Sequence, residues 1–383
     1  VIRAAYVHIP FCETICYYCD FPKVFAKGQP LEAYVDALLK EVEETVRVTP
    51  SDRLDTLFIG GGTPTVLSSE LLRKLCEGLK KFLPLAQDAE WTIEANPEDV
   101  SQEKLDVLKA VGVNRLSFGV QSFDPDVLQA IGRAHTPEKA ISTIKKAQAT
   151  GFENISVDIM FALPKQTQDS FVHSMETVVG LEIQHVSSYA LILEEKTQFA
   201  NWVRSGRLEL PSEDTEANQY EMLLKFMSEC GYNPYEISNF ARPGFQSRHN
   251  LTYWNNESYY GFGAGAHGYV EGIRTQNIAV PSHYIESMMS GKGPYLRTST
   301  VTRGEQMEEE LFLGLRKVEG VSIQRFQEKF GVSLRTVYGK VIENLKEKGW
   351  VETSHTHLRL TKEGMFLGNE VFQSFLVDSF DKK

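Results

Sequence analysis

The stretch YVHIPFCETICYYCDF, residues 6–21, decides how the chain is read. Its first residues belong to the run AAYVHI, apolar and β-prone, which reads as a strand. The next segment packs three of the five cysteines, Cys12, Cys16 and Cys19, into eight positions. The spacing C-x3-C-x2-C sets three sulfurs on one tight loop at the end of that strand. Thiolates suit zinc or an iron–sulfur cluster, and three of them leave one coordination position open in either case. Three thiols alone do not choose between the two. A structural zinc site would bring a second pair of ligands, yet Cys76 lies within LLRKLCEGLKKFL and Cys230 ends YEMLLKFMSECGY. Both are helical repeats in which a buried, inert thiol is expected. His8 alternates on the strand and reads as a core or loop histidine rather than a fourth ligand.

Outward from the loop, strands and helices alternate. Residues 31–47 read as a helix, TLFIGG as a strand and 68–83 as a helix. WTIEAN, RLSFGVQS, ISVDIMFAL and HVSSYALI come next as strands, with helices over 101–110, 137–149, 168–179 and 213–230. Six βα units in series must run parallel with right-handed crossovers, as an open doubly wound sheet or a partly closed barrel. Polar and glycine residues gather after the strands in GGGTPT, EANPE, GVQSF and DIMFALP, the edge where parallel α/β folds carry their ligands. Residues 233–300 lose the periodicity but are rich in Tyr, Asn, Gly and Pro, which predicts an ordered, aromatic cover with a few short strands. From 301 to 383 three helices and a hairpin, WVETSHTHLRLTKEG, predict a winged-helix-like module. The expected units are therefore 1–232, 233–300 and 301–383.

Composition narrows the function. The 383 residues are 42% hydrophobic, enough for a sizeable core, and 40 basic against 51 acidic residues leave a net charge of −11. Such a chain does not attract a phosphate backbone, so no nucleic acid is expected as partner. In the candidate recognition helix, Glu343 and Glu347 dilute Arg335, Lys340, Lys346 and Lys348, which favours a structural or lid role over DNA binding. No apolar run approaches the roughly 20 residues of a membrane span, and VIRAAYVHIP lacks a signal-peptide pattern. A cytoplasmic protein is expected.

These residues carry a family resemblance. CETICYYC after a strand, followed by GGGTP, resembles the radical S-adenosylmethionine (SAM) superfamily. YVHIPFC, FIGGGTPT, IEANPE, GVQSF, IGRAH and DIMFALP occur in the order seen in the oxygen-independent coproporphyrinogen III oxidase group, HemN and its relatives. The resemblance implies an α/β fold, a partial (β/α)6 TIM-like barrel, with a smaller, mainly helical, winged-helix-like C-terminal domain. It implies that Cys12, Cys16 and Cys19 bind three irons of a [4Fe–4S] cluster and that SAM chelates the fourth. The reduced cluster would then cleave SAM to a 5′-deoxyadenosyl radical. SAM contacts are implied for Tyr6, Tyr18, Gly61, Gly62, Thr63, Glu94, Gln121, Arg133 and Asp158. Glycines let a backbone approach a ligand, Glu94 can accept from an amino or ribose group, and Gln121, Arg133 and Asp158 can fix carboxylate, adenine and ribose. The plainer readings are surface solvation for Arg133 and a turn or helix cap for Asp158.

One position departs from the oxidases, which show C-x3-C-x2-C-x-C where this chain ends on Phe21. That departure resembles the HemW branch, whose members are regarded as heme chaperones. HNLTYW, residues 249–254, is similar to the H-N-x-x-Y-W motif of that branch. It implies heme contact through His249 as axial ligand and through the flat faces of Tyr253 and Trp254. Outside the family, an aromatic cluster around a hydrogen-bonded histidine is the simpler reading, and His267 in GFGAGAHGY competes as ligand. The implied partners are heme and a heme-accepting protein, a membrane-associated respiratory component, with a homodimer also open. The competing expectation is the oxidase reaction, decarboxylation of coproporphyrinogen III to protoporphyrinogen IX.

Overall fold

The computed structural model describes residues 1–376. Its first part runs β1 (Ile2–Ile9), α1 (Leu31–Val48), β2 (Leu54–Gly61), α2 (Ser69–Phe82), β3 (Leu85–Ala95), α3 (Gln102–Val111), β4 (Arg115–Gln121), α4 (Pro125–Ile131), α5 (Pro137–Ala149), β5 (Asn154–Phe161), α6 (Gln168–Gly180), β6 (His185–Ala190), α7 (Gln198–Arg204) and α8 (Glu213–Glu229). The six expected βα units are present. The helices α4 and α7, of seven residues each, are too short for periodicity to reveal. Ser68, Ser101, Asp124, Thr136, Thr167 and Ser212 each accept a first-turn N–H, which sets where their helices begin.

Strands β1 to β6 pair in parallel in sequence order, as helical crossovers require. Successive residues of a strand face opposite sides. In β4, Leu116, Phe118 and Val120 belong to the core under the helices, while Arg115, Ser117 and Gly119 line a cavity on the inner face. Glu94, Asp158 and Ser187 face the same way from the neighbouring strands. The sheet forms a partial barrel with helices outside and polar groups within.

Residues 233–300 lengthen the sheet at both edges. β7 (Asn233–Pro234) and β8 (Asn239–Ala241) add antiparallel strands beyond β6. After α9 (Arg248–Trp254), β9 (Ser258–Phe262) pairs in parallel with β1. β10 (His267–Val270), β11 (Ile273–Asn277) and, after α10 (Pro281–Met289), β12 (Tyr295–Thr300) continue antiparallel. The result is a 12-stranded sheet in the order β12-β11-β10-β9-β1-β2-β3-β4-β5-β6-β8-β7. Helix α9 lies on the inner face near the amino ends of β2 and β3. The Glu90 carboxylate accepts the N–H groups of Arg248 and His249, both at 3.0 Å, where the helix dipole favours a negative charge.

A second core, including Leu311, Phe326, Tyr338, Leu345 and Leu358, lies beyond. It is built by α11 (Arg303–Gly314), β13 (Val321–Ser322), α12 (Ile323–Phe330), α13 (Leu334–Glu347), β14 (Val351–Thr353) and β15 (His357–Leu360), with two further helices, α14 (Lys362–Phe366) and α15 (Gly368–Ser374), packed against them. The three helices and the hairpin match the winged-helix-like expectation, and β13 adds a third strand. Lys317 and Lys329 tie this unit to the turn after α9, through Asn255 Oδ1 at 2.7 Å and the Asn256 carbonyl at 3.1 Å. Among the described residues no helix is long and apolar enough to cross a membrane.

Glu41 on α1 holds the added strands to the barrel. Only 1% exposed, it accepts from the Gly263 N–H at 2.8 Å, the Asn277 amide at 2.7 Å and the Tyr284 hydroxyl. Burial pushes its pKa up to about 7 despite those donors. Glu41→Ala strands these donors in a dry site and should cost about 3 kcal/mol. A thermal melt should show a clear drop in midpoint, with native circular dichroism below the transition.

Candidate functional site

The loop between β1 and α1 is pinned at both ends. Phe11–Cys12 pairs in parallel with Val24–Phe25, and the Cys19 N–H donates to the Cys16 carbonyl at 3.3 Å. The Lys23 ammonium donates to the carbonyls of Cys19 and Phe21 at 2.5 and 3.1 Å. No disulfide joins the cysteines. All three line one cavity of about 330 Å³, within the usual range for small-molecule sites, together with Tyr18, Gly61, Gly62, Thr63, Glu94, Gln121, Arg133 and Asp158. The structure thus brings together every residue expected around the cluster and SAM except Tyr6. Tyr6 does not line the cavity; its hydroxyl lies 2.9 Å from His8 Nδ1, and His8 Nε2 meets the Pro22 carbonyl at 2.8 Å. His8, 4% exposed, is the core histidine the alternation predicts.

The donor set fits a cluster rather than one ion. Among the described residues no three His, Cys, Asp or Glu side chains converge closely enough to hold a single metal ion. Three sulfurs spread around one cavity suit a polynuclear group that takes one thiolate per iron. Burial pushes the Cys12 thiol up to about 11, against the Thr63 hydroxyl 3.7 Å from its sulfur, and also raises Cys19. Without iron these groups are thiols, so cluster assembly must release protons.

Arg133 ties the loop to the sheet. Its guanidinium donates to Cys16 Sγ at 3.4 Å, Asn96 Oδ1 at 2.8 Å and the Gly119 carbonyl. Burial opposes its charge, but Cys16, Tyr18 and Glu98 outweigh that and raise its pKa. This is no solvated surface arginine. Asp158 is no helix cap: it sits within β5, accepts from Ser117 Oγ at 3.4 Å, and burial raises its pKa to about 6. Gln121 adopts φ 70° at an irregularity in the β4–β5 pairing and receives the Tyr189 hydroxyl at 3.2 Å. A left-handed non-glycine costs about 1–3 kcal/mol, and here it accompanies a side chain that lines the cavity.

The glycines serve the protein's own packing first. A Cβ on Gly61, at φ +114°, would lie 2.4 Å from the His8 ring, and one on Gly62 would lie 2.7 Å from the Phe11 carbonyl. Gly61 also donates its N–H to Glu94 Oε2 at 3.0 Å. Burial, with Asp158 adding to it, raises the Glu94 pKa to about 8.

The residues expected at heme separate. His249, 1% exposed, engages Thr56 Oγ1 through Nδ1 and the Tyr253 hydroxyl through Nε2, both at 2.8 Å, and stacks on Phe58. Burial, with Arg115 adding, lowers its pKa to about 3. Both ring nitrogens therefore have protein partners, and the imidazole supports the Tyr253 hydroxyl from beneath. Tyr253 and Trp254 line a different cleft of about 530 Å³, shared with His267.

Sequence reasoning passed over Asn96, Tyr189 and Arg115. Asn96 links Arg133 to Thr63 Oγ1, which it meets at 2.9 Å, and its signal was present within EANPE. Arg115 is 2% exposed, donates to Thr92 Oγ1 at 3.5 Å, and leaves Nε beside the cavity without a hydrogen-bond partner among the described residues. A charged residue opening a strand looks like a surface residue until the barrel closes over it.

Cys16→Ser should abolish the iron–sulfur charge-transfer absorption after anaerobic reconstitution, whereas Cys76→Ser, a fully buried thiol of the helical core, should retain it. For ligand-free protein, stability should fall as pH rises from 6.5 to 8. In that window the native state keeps the Glu94 proton that the unfolded chain has already lost. Glu94→Gln should flatten the slope by up to about 1.4 kcal/mol per pH unit, measured by denaturant melts across that range.

The Radical SAM superfamily model matches residues 6–178, and the HemN C-terminal domain model matches residues 301–367. Heme chaperone HemW of Bacillus subtilis is 50% identical over 98% of this chain and 99% of its own length. Heme chaperone HemW of Lactococcus lactis is 43% identical, over 99% and 98%. Coproporphyrinogen III oxidase, HemN, from Escherichia coli superposes with a TM-score of 0.85 over 98% of this chain and 90% of its own, at 23% identity, a likeness of fold. With half its residues identical to one relative along nearly the whole of both chains, the chain belongs to the HemW family of the radical SAM superfamily.

Proposed function

We propose that this protein is a heme chaperone: it holds a [4Fe–4S] cluster and SAM in the cysteine-lined cavity, carries heme, and delivers it to an acceptor protein of the respiratory chain. The observation that carries the reading is the presence of two cavities on one sheet, a polar one at the cysteines and an aromatic one beside it. The full-length similarity to heme chaperones points the same way. Phe21, 61% exposed at the rim of the first cavity, stands where the oxidases have a further thiol.

In this reading Cys12, Cys16 and Cys19 hold the irons and leave one for SAM. When bound, the cluster and SAM supply one-electron chemistry. Arg133 stays charged beside Cys16 and offsets the negative charge that thiolates bring to a buried site. Glu94, whose pKa burial raises to about 8, is positioned to lose its proton as it meets a cationic amino group, and Asp158 to accept from ribose hydroxyls. Tyr253 and Trp254 present flat apolar faces to a porphyrin.

Anaerobically reconstituted protein should bind one heme per chain and produce no protoporphyrinogen from coproporphyrinogen III. Rapid, cluster-dependent release of CO2 from that substrate would refute the carrier reading in favour of the oxidase.

A further inference from the structure

The aromatic cleft holds a histidine that the motif does not contain. His267 opens β10, is exposed, and its ring makes no hydrogen bond with any described residue. Its position is fixed by the backbone: a Cβ on Gly261 would lie 1.9 Å from the His267 carbonyl, so only glycine lets the two strands approach so closely. The pairing of β10 with β11 sets His267, Tyr269 and Arg274 on one face, because Tyr269 opposes Arg274 and His267 lies two residues away. Partial burial, with Arg274 adding to it, lowers the His267 pKa and so favours the neutral imidazole.

The surroundings suit a flat, apolar ligand with anionic edges. Tyr253 and Tyr259 meet edge to face at 4.7 Å, and Trp254, Phe312 and Leu313 complete the apolar lining. Arg274 lies over the Tyr269 ring at 5.5 Å and uses one nitrogen for Glu309 at 3.0 Å. Its remaining donors are available for a carboxylate. The volume of about 530 Å³ is that of a cofactor site rather than of a packing defect.

We infer that this cleft is the heme site and that His267 is the axial ligand, with Arg274 receiving a propionate. His249 is then a positioning residue, which holds the Tyr253 hydroxyl and so fixes one wall. The assignment rests on the heme-chaperone reading, but it names a different residue for the metal. A neutral imidazole with a free nitrogen can bind iron directly, whereas both nitrogens of His249 would first have to give up buried partners.

The test is hemin titration of the reconstituted full-length protein, followed by visible absorption and low-temperature electron paramagnetic resonance. His267→Ala should lower affinity by about tenfold or more and lose the imidazole-ligated spectrum, with added imidazole restoring it. Leu313→Trp, which fills the cleft, should weaken hemin binding with His267 intact. His249→Ala should keep imidazole ligation, and the cluster absorption should be unchanged in all three. If the wild type binds hemin while His267→Ala and Leu313→Trp match it in affinity and spectrum, the site is elsewhere and the chaperone reading stands. If the wild type binds no hemin, both are overturned.

Discussion

A sheet whose inner face carries Glu90, Glu94, Arg115 and Asp158 cannot be sealed with hydrocarbon. Each of these groups would lose several kcal/mol of hydration in an apolar core, so the barrel must enclose partners for them instead. Glu90 finds the amino end of a short helix, while Asp158 finds serine hydroxyls. Glu94 and Arg115 have few hydrogen bonds, one N–H and one distant hydroxyl, and otherwise meet through their charges. Period-two alternation places them inward, and their incomplete pairing keeps a polar cavity open under the cysteine loop.

Most of the barrel was legible because its signals are local. A strand of apolar residues, a capped amphipathic helix and a glycine turn each announce themselves within about a dozen residues. The pairing of Ser258–Phe262 with the first strand was not legible, because nothing in SYYGF names a partner more than two hundred residues away. The cysteines were readable from spacing, since ligand geometry demands it. Arg133, Asn96 and Arg115 depend on closure of the barrel, which turns residues that look solvated into buried ones. His249 shows the reverse case: family resemblance named it as a ligand, while the plainer reading of HNLTYW, an aromatic cluster around a hydrogen-bonded histidine, describes the partners that both its nitrogens have.

The cysteine loop and the aromatic cleft are separated by one layer of side chains. Tyr6 stacks on Phe58, Phe58 on His249, and His249 meets the ring of Tyr253 edge to face. Hydrogen bonds run through the same layer, from Thr56 through His249 to Tyr253. The polar and aromatic cavities therefore share a wall that is itself fully bonded, which keeps the two chemistries apart without a second domain between them.

The helix Arg248–Trp254 belongs to both spaces, since Asn250 borders the polar cavity while Tyr253 and Trp254 border the aromatic one. At seven residues it is less than two turns long, anchored at its start by Glu90 and followed by a turn that Lys317 and Lys329 hold. It behaves geometrically as a partition. With its start and its exit turn both tied down, one short helix draws the boundary of two spaces at once.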